Sequence, residues 1–173
     1  FGEGDNIQYC QRRLREIWDD PKRGEVPSNW TIDPLLAEAG PNIYSYFQRT
    51  ATANDLLVCG PSGAGYTYPA SWTPSELTQY LKMSGSFMSR TGLDVVYAYS
   101  GRENNTWVLL SQEIAEGYAK YTPTKGIMQT WDGDPLTVRQ GGIPITGGWG
   151  APGKAAEFKA ALDRRIANWD GAS

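Results

Sequence analysis

The sequence predicts a single α/β domain with a mainly parallel sheet. Segments of helical periodicity alternate with short apolar segments, an order typical of parallel sheets that are open or curled into a barrel. The longest uninterrupted apolar runs are only strand length, so no segment predicts a membrane span. A chain of 173 residues with 40% hydrophobic content suffices for one substantial core and is too short for two. We therefore expect one domain over residues 1–173.

Capping residues and apolar spacing define the elements of the first half of the chain. Asn6 begins a helix that Pro21 ends, because proline interrupts helical hydrogen bonding. Asp33 and Pro34 begin a second helix, which breaks near Gly40. In chain order, the predictions are a helix over 6–20, a strand over 26–32, a helix over 34–49 and a strand over 56–59.

The alternation continues in the second half. Thr73 and Glu76 form a capping box with proline at the first helical position, and Gly92 ends that helix. The remaining predictions are a helix over 74–91, a strand over 93–99, a helix over 108–120, strands over 126–130 and 143–146, and a C-terminal helix. The C-terminal helix has an apolar stripe that we expect to pack against the sheet: Ala155, Phe158, Leu162, Ile166 and Trp169.

The loop over residues 60–69 directly follows the strand over 56–59. Three glycines permit positive φ and close backbone approach, and Pro61 and Pro69 stiffen the two ends. Tyr66 and Tyr68 then project from a backbone that does not collapse easily. Two interpretations of this pattern are open. One is a loop that contacts a ligand, and the other is a structural turn whose tyrosines close over the core, which is the commoner role of glycine-rich loops.

Composition excludes several kinds of site. The chain has no histidine, so it has no Ser-His-Asp triad, Cys-His dyad or histidine-ligated metal, and carboxylates or tyrosines must carry any catalysis. A net charge of −3 without a basic cluster argues against nucleic-acid binding. Cys10 and Cys59 lack metal-type spacing, and we expect two buried thiols, with a disulfide as the alternative. The 12% aromatic content suits either sugar stacking or large core anchors.

Polar and aromatic residues follow the predicted strands. Because sites in parallel α/β folds assemble at the carboxyl ends of the strands, we expect these residues to converge. They are Glu3, Asp5 and Asn6; Asn29 and Trp30, near Asp33; the tyrosine loop; Arg102, Glu103, Asn104 and Asn105; Trp131, Asp132 and Asp134; and Trp149. Three alternatives remain open. Glu3 and Asp5 suit a helix cap, Asp132 suits a turn, and the run from Glu103 to Asn105 suits a solvated loop.

A family resemblance adds to these inferences. The stretch Gly63-Ala64-Gly65-Tyr66-Thr67-Tyr68-Pro69 resembles the signature of the "GxGYxYP putative glycoside hydrolase" family. Glu3-Gly4-Asp5-Asn6 and the segment over 23–34 are similar to that family as well. The resemblance implies a barrel-like C-terminal domain of a larger, often secreted, bacterial protein. We therefore expect an incomplete or distorted (β/α) barrel, a fragment truncated at its N-terminus, located outside the cell or in its envelope.

We expect this domain to hydrolyse a glycosidic bond by paired carboxylates, without a cofactor or metal. The candidate catalytic residues are Asp5, Glu3, Asp132 and Glu103. The candidate substrate-binding residues are Asn6, Asn29, Trp30, Tyr66, Tyr68 and Trp131. The expected partners are carbohydrate and other domains of the same polypeptide, with neither nucleic acid nor membrane. One alternative is a noncatalytic carbohydrate-binding or structural module. Another is a Mg²⁺- or Ca²⁺-dependent hydrolase whose ligands are Asp5, Asp132 and Asp134.

Overall fold

A computed structural model describes residues 6–99, 102–103, 106–129, 137–147 and 154–168. The strands are β1 (Ser28–Ile32), β2 (Asp55–Cys59), β3 (Val95–Ala98), β4 (Arg102–Glu103), β5 (Thr106–Trp107), β6 (Gly126–Gln129), β7 (Thr137–Gln140) and β8 (Ile143–Gly147). The helices are α1 (Ile7–Gln11), α2 (Arg13–Trp18), α3 (Leu36–Ala39), α4 (Pro41–Thr50), α5 (Pro74–Thr91), α6 (Gln112–Tyr121) and α7 (Ala155–Ala167), and a 3₁₀ turn covers Pro69–Ser71.

Six strands form one sheet in the order β1-β2-β3-β6-β8-β7. The first five are parallel to one another, and β7 lies antiparallel at the edge beside β8. Strands β4 and β5 form a separate antiparallel ribbon. The predicted α/β class with a mainly parallel sheet is confirmed. Each successive parallel strand is added on the same side, so right-handed crossovers place the connecting helices on one face of the sheet.

The sheet curls towards the face that the crossover helices leave open. Asn29 on β1 and Met128 on β6 both project from that face, because their neighbours Trp30 and Ile127 lie in the core on the opposite face. Strands β1 and β6 are separated by two others, which in a flat sheet would place them about 14 Å apart. Nevertheless, Asn29 Nδ2 lies 3.8 Å from Met128 Sδ. The described strands therefore form an open sheet with strong, barrel-like curvature, and we call its inner side the concave face.

The core lies between the sheet and the helices. Trp18 on α2 packs edge-on against Trp30 and Phe47, with ring centroids 5.2 and 5.1 Å away. These large rings fill the layer beneath β1 and account for part of the aromatic content. The main sheet residues in this core are Trp30, Ile32, Cys59, Val96, Ala98, Ile127, Ile143 and Ile145.

Helices α5 and α6 approach each other closely at two glycines. A β-carbon on Gly85 would lie 2.0 Å from the carbonyl oxygen of Tyr121. One on Gly117 would lie 2.7 Å from Leu81 Cδ1. Gly85 sets the spacing of α5 and α6, because the carbonyl that it faces belongs to the backbone of α6, whereas the end of the Leu81 side chain can rotate away from residue 117.

A hydrogen-bonded cluster around Asp55 joins elements at the amino ends of β1 and β2. The carboxylate accepts from the Trp30 indole at 2.8 Å and from the Thr52 amide and hydroxyl at 2.8 Å each. It also pairs with Arg23, whose guanidinium carbon lies 4.2 Å from the centroid of the Trp18 ring. Burial would raise the pKa of Asp55, but the bonds from Thr52 and Trp30 and the charge of Arg23 hold that pKa below its ordinary value.

Several predicted elements differ from those observed. The helix predicted over 6–20 is two short helices that meet at Arg12, where the backbone leaves helical geometry. The sequence did not predict β7 or the β4–β5 ribbon. Cys10 and Cys59 are buried thiols, as expected, and are not joined by a disulfide.

The expectation that the C-terminal helix packs on the sheet through its apolar stripe is wrong for the described residues. Phe158, Leu162 and Ile166 are exposed on α7, and Ile166 reaches 62% exposure. Ala161, outside that stripe, is buried instead. The 3.6-residue period gives the amphipathic helix correctly but does not identify what covers the apolar face.

Asp55→Asn should lower the free energy of unfolding by about 2–4 kcal/mol at neutral pH, because it removes one partner of a buried ion pair and weakens several bonds. Wild-type Asp55 has a lowered pKa, so its contribution is complete above its unfolded value of 3.8 and is lost as pH falls through the folded value. Urea titrations from pH 2 to 7 should therefore show the two proteins converging only in acid. Asp20→Asn, at an exposed turn, serves as the control.

Candidate functional site

The loop over 60–69 leaves the carboxyl end of β2 and is fixed by a buried serine. The Ser62 hydroxyl donates to the carbonyl of Thr67 at 2.9 Å and accepts from the amide of Tyr99 at 2.8 Å. The Ser62 carbonyl accepts from the Tyr118 hydroxyl on α6 at 2.5 Å. One residue thus connects the loop to itself, to the end of β3 and to α6.

The two glycines of the tyrosine motif have different roles. A β-carbon on Gly63 would lie 2.5 Å from Ser84 Oγ and 2.6 Å from Tyr80 Oη, so no side chain fits there. Ser84 also accepts from the Ala64 amide at 3.0 Å, and the Tyr80 hydroxyl donates to the Gly65 carbonyl at 3.2 Å. Gly65 has φ of +96°, which L side chains rarely adopt. The loop therefore packs directly on α5.

Asp33 holds the loop from the neighbouring strand. It follows β1, and its carboxylate accepts from the Leu35 amide at 2.9 Å and from the backbone amide of Gly65. Asp33 is only 2% exposed, and burial raises its pKa in spite of these two hydrogen bonds. This carboxylate lies at the carboxyl edge of the sheet, where it is buried and supports the loop.

Four tyrosines form what we call the tyrosine cluster: Tyr66, Tyr68, Tyr97 and Tyr99. Tyr68 stacks on Tyr99 with centroids 5.3 Å apart, and Tyr66 lies 5.1 Å from Tyr99 and 5.8 Å from Tyr68. The hydroxyls of Tyr66 and Tyr68 are 3.1 Å apart, and Tyr97 meets Tyr99 edge-on at 5.8 Å. Tyr66 is 47% exposed. The cluster therefore presents rings and hydroxyls in a fixed arrangement.

The cluster lies where the concave face meets the carboxyl edge of the sheet. Val96 and Ala98 point into the helical core, so Tyr97 between them projects from the concave face. Tyr99 continues that side beyond the end of β3, and the loop brings Tyr66 and Tyr68 against it. In curled parallel sheets this carboxyl-end mouth is where ligand sites assemble.

The candidate substrate-binding residues occupy different environments. Tyr66 and Tyr68 lie in the cluster, and Asn29 is half-buried on the concave face. Asn6 is exposed and caps α1, accepting from the Tyr9 amide at 2.9 Å. Trp30 is 7% exposed, and its ring packs in the core while its N–H bonds Asp55, so this placement does not support the predicted stacking role.

Most of the remaining candidates lie outside the described residues: Glu3, Asp5, Trp131 and Asp132, together with Asp134 of the metal-dependent alternative. The exception is Glu103, whose backbone is described. Glu103 pairs through its backbone with Thr106 in the β4–β5 ribbon. Within the described part of the chain, no group of three or more acidic or cysteine side chains is arranged to hold a metal ion. There too, no helix combines the length and apolar character needed to cross a bilayer.

Sequence reasoning missed Tyr97 and Tyr99 as members of the site, and it missed the contact of Asp33 with the loop. Tyr97 and Tyr99 were counted only as residues of a strand, although their spacing of two placed both on one face. Asp33 was interpreted as a helix cap. The structure corrects that interpretation: the N-cap residue of α3 is Leu35, and the bond from Asp33 to the Leu35 amide closes a turn before the helix. The contact of Asp33 with Gly65 depends on the pairing of β1 and β2 and has no local sequence signal.

The fold and this edge define the class: an α/β domain whose curled parallel sheet carries an aromatic cluster at its carboxyl end. The sequence matches the family described as "GxGYxYP putative glycoside hydrolase C-terminal domain" over residues 1–155. The chain belongs to this family, and the resemblance inferred from the tyrosine motif is confirmed. The family is described as a C-terminal domain, which implies that the same protein has other domains.

Two solved structures share the fold. One is a putative hydrolase from Bacteroides thetaiotaomicron, with a TM-score of 0.74 and 20% sequence identity; the match covers 84% of this chain and 28% of the hydrolase chain. The other is a 4-alpha-glucanotransferase from Thermococcus litoralis, with a TM-score of 0.53 and 12% sequence identity; the match covers 95% of this chain and 29% of the glucanotransferase chain. The chain thus spans less than a third of either protein. No curated protein matches the sequence significantly.

Gly63→Ala should displace the loop, because the added methyl would overlap Ser84 and Tyr80. We expect a loss of about 1–3 kcal/mol in the free energy of unfolding, as for overpacked cores, together with changed tyrosine signals in near-ultraviolet circular dichroism. Gly126→Ala is the matched control, since neither glycine has a positive φ and the carbon added at residue 126 would meet only ordinary contacts, 3.5 Å from Pro144 Cγ. An equal loss and no spectral change in both variants would mean that packing against α5 does not constrain residue 63.

Proposed function

We propose that this domain forms the carbohydrate site of a glycoside hydrolase, with the sugar bound at the tyrosine cluster. The observation that carries the proposal is the cluster itself, which is half-exposed at Tyr66 and rigidly supported at the mouth of the concave face. Flat aromatic rings pack against the C–H faces of sugars, and phenolic hydroxyls exchange hydrogen bonds with sugar hydroxyls. Asn29 adds an amide further down the same face.

Hydrolysis would use two carboxyl groups that flank the scissile bond. One protonates the leaving oxygen, and the other acts as base or nucleophile. Asp5 is the first candidate and Glu3 the second, with Asp132 or Glu103 as partner, because each follows a predicted strand. Trp131 remains a candidate for stacking. The proposal places the protein outside the cell or in its envelope. The fold similarity to a 4-alpha-glucanotransferase adds α-1,4-glucans to the substrates worth testing.

A second function has its own support. The described carboxylate of Asp33 lies at the carboxyl edge of the sheet, but it is buried beneath the loop instead of facing the tyrosine cluster's open surface. A noncatalytic module that binds carbohydrate through the tyrosine cluster would keep every contact described above. Binding and turnover must therefore be measured separately.

The first test measures binding. A glycan array with the full-length protein selects a soluble oligosaccharide, which then serves for calorimetry. Tyr66→Ala should raise the Kd about 3- to 10-fold, as expected for one lost aromatic contact. Tyr46→Ala, at a half-buried tyrosine on α4, is the control and should leave the Kd unchanged. No binding of any glycan by the wild-type protein would overturn the proposal.

The second test measures turnover of the selected glycan. Asp5→Asn should lower kcat at least about 100-fold while the thermal midpoint stays nearly constant, because an amide neither donates an acidic proton nor attacks an anomeric carbon. Asp20→Asn is the surface control. A destabilised but fully active Asp5 variant would give Asp5 a structural role and remove it from the catalytic candidates. Loss of wild-type activity in a chelator would favour the metal-dependent alternative, and binding without turnover would favour the noncatalytic module.

A further inference from the structure

A cavity opens beside the tyrosine loop, on the side of the carboxyl edge where the helices lie. Its volume is about 310 Å³, near the lower end of the range for small-molecule sites. One wall comes from the 3₁₀ turn and the start of α5, and the other from residues 108–114 at the start of α6. Leu77, Leu110 and Ile114 contribute apolar surface. None of the candidate site residues that the structure describes lines this cavity.

Trp72 supplies an ordered aromatic surface in this cavity. Its indole stacks on Tyr80 with centroids 5.5 Å apart and planes 21° from parallel. Its N–H donates to Thr67 Oγ1 at 2.6 Å. These two contacts fix the ring before any ligand arrives, yet Trp72 remains 40% exposed. In contrast, Trp18 and Trp30 are buried in the core. A pre-ordered aromatic ring binds a flat ligand surface at small entropic cost.

The wall opposite Trp72 carries two polar residues among apolar ones and is firmly held. Ser111 and Glu113 line it, at the cap and in the first turn of α6. The buried Gln129 side chain fixes this wall, because its Oε1 accepts from the Leu110 amide at 3.0 Å. Glu113 is exposed and presents a carboxylate that accepts hydrogen bonds from hydroxyl groups. An aromatic wall facing hydroxyl-binding groups suits one sugar ring.

We propose that this cavity, the Trp72 cleft, binds a second sugar residue of the chain held at the tyrosine cluster. The two sites adjoin through a single segment, since Tyr66 and Tyr68 enter the cluster while Thr67 between them bonds Trp72. The proposal rests on the proposed function and sharpens it: the ligand is an oligo- or polysaccharide, and affinity rises with chain length. A cavity of this volume holds one ring rather than an extended chain.

The test measures how the effect of each substitution on affinity depends on the length of the oligosaccharide. Calorimetry on the full-length protein uses methyl glucoside, the disaccharide and the trisaccharide of the α-1,4 and β-1,4 glucose series. The wild-type protein should bind the trisaccharide more tightly than the methyl glucoside. Trp72→Ala should weaken trisaccharide binding about 10-fold and leave the methyl glucoside unchanged. Tyr66→Ala should weaken binding of both.

Two further variants separate binding from folding. Met83→Ala removes an exposed apolar side chain from α5, away from the cleft, and should change no affinity. Glu113→Gln keeps the shape of the side chain and should weaken trisaccharide binding about 3-fold with an unchanged thermal midpoint, whereas Glu38→Gln on α3 should have no effect. If Tyr66→Ala weakens the trisaccharide while Trp72→Ala and Glu113→Gln do not, the cleft is not a subsite. If the wild-type protein binds no member of either series nor any arrayed glycan, the proposed function itself fails.

Discussion

The loop after β2 runs so close to α5 that Tyr80 and Ser84 occupy the space a side chain at residue 63 would need. That contact sets the path of the following residues. With the backbone held against α5, and Ser62 bonded to Tyr99 and Tyr118, the loop directs its tyrosines to the concave face. The tyrosine cluster and the Trp72 cleft therefore share one constraint, and neither arrangement survives a shift of the loop.

The two ends of the sheet differ in structure and in proposed role. At the amino end, Asp55 gathers Trp30, Thr52 and Arg23 into a buried polar cluster that joins β1, β2 and the preceding loop. At the carboxyl end, the buried carboxylate of Asp33 supports a loop whose outer surface is open. Stability is thus concentrated away from the proposed binding surface, the usual division in parallel α/β folds.

Local patterns predicted the alternation of elements, the capped helix α5 and the tyrosine loop, because each depends on residues close in sequence. What failed depends on distant contacts. Trp30 looked like a residue near a site, but strand parity places it with Ile32 in the core. The stripe on α7 has the correct period, yet periodicity does not specify a partner surface. The pairing of Asp33 with Gly65 likewise required the register of β1 against β2. The proposed catalytic carboxylates stay predictions.

The contact of α5 with α6 through Gly85 has an evolutionary consequence. Gly85 sets how closely α5 approaches the end of α6, and the Trp72 cleft lies between the starts of the same helices. A larger residue at position 85 in a homologue would have to displace the backbone of α6, and so change the width of the cleft, without altering a strand or a tyrosine. The size of the ligand would then differ among family members through a position that does not contact the ligand, and substitutions at residue 85 should correlate with substrate range.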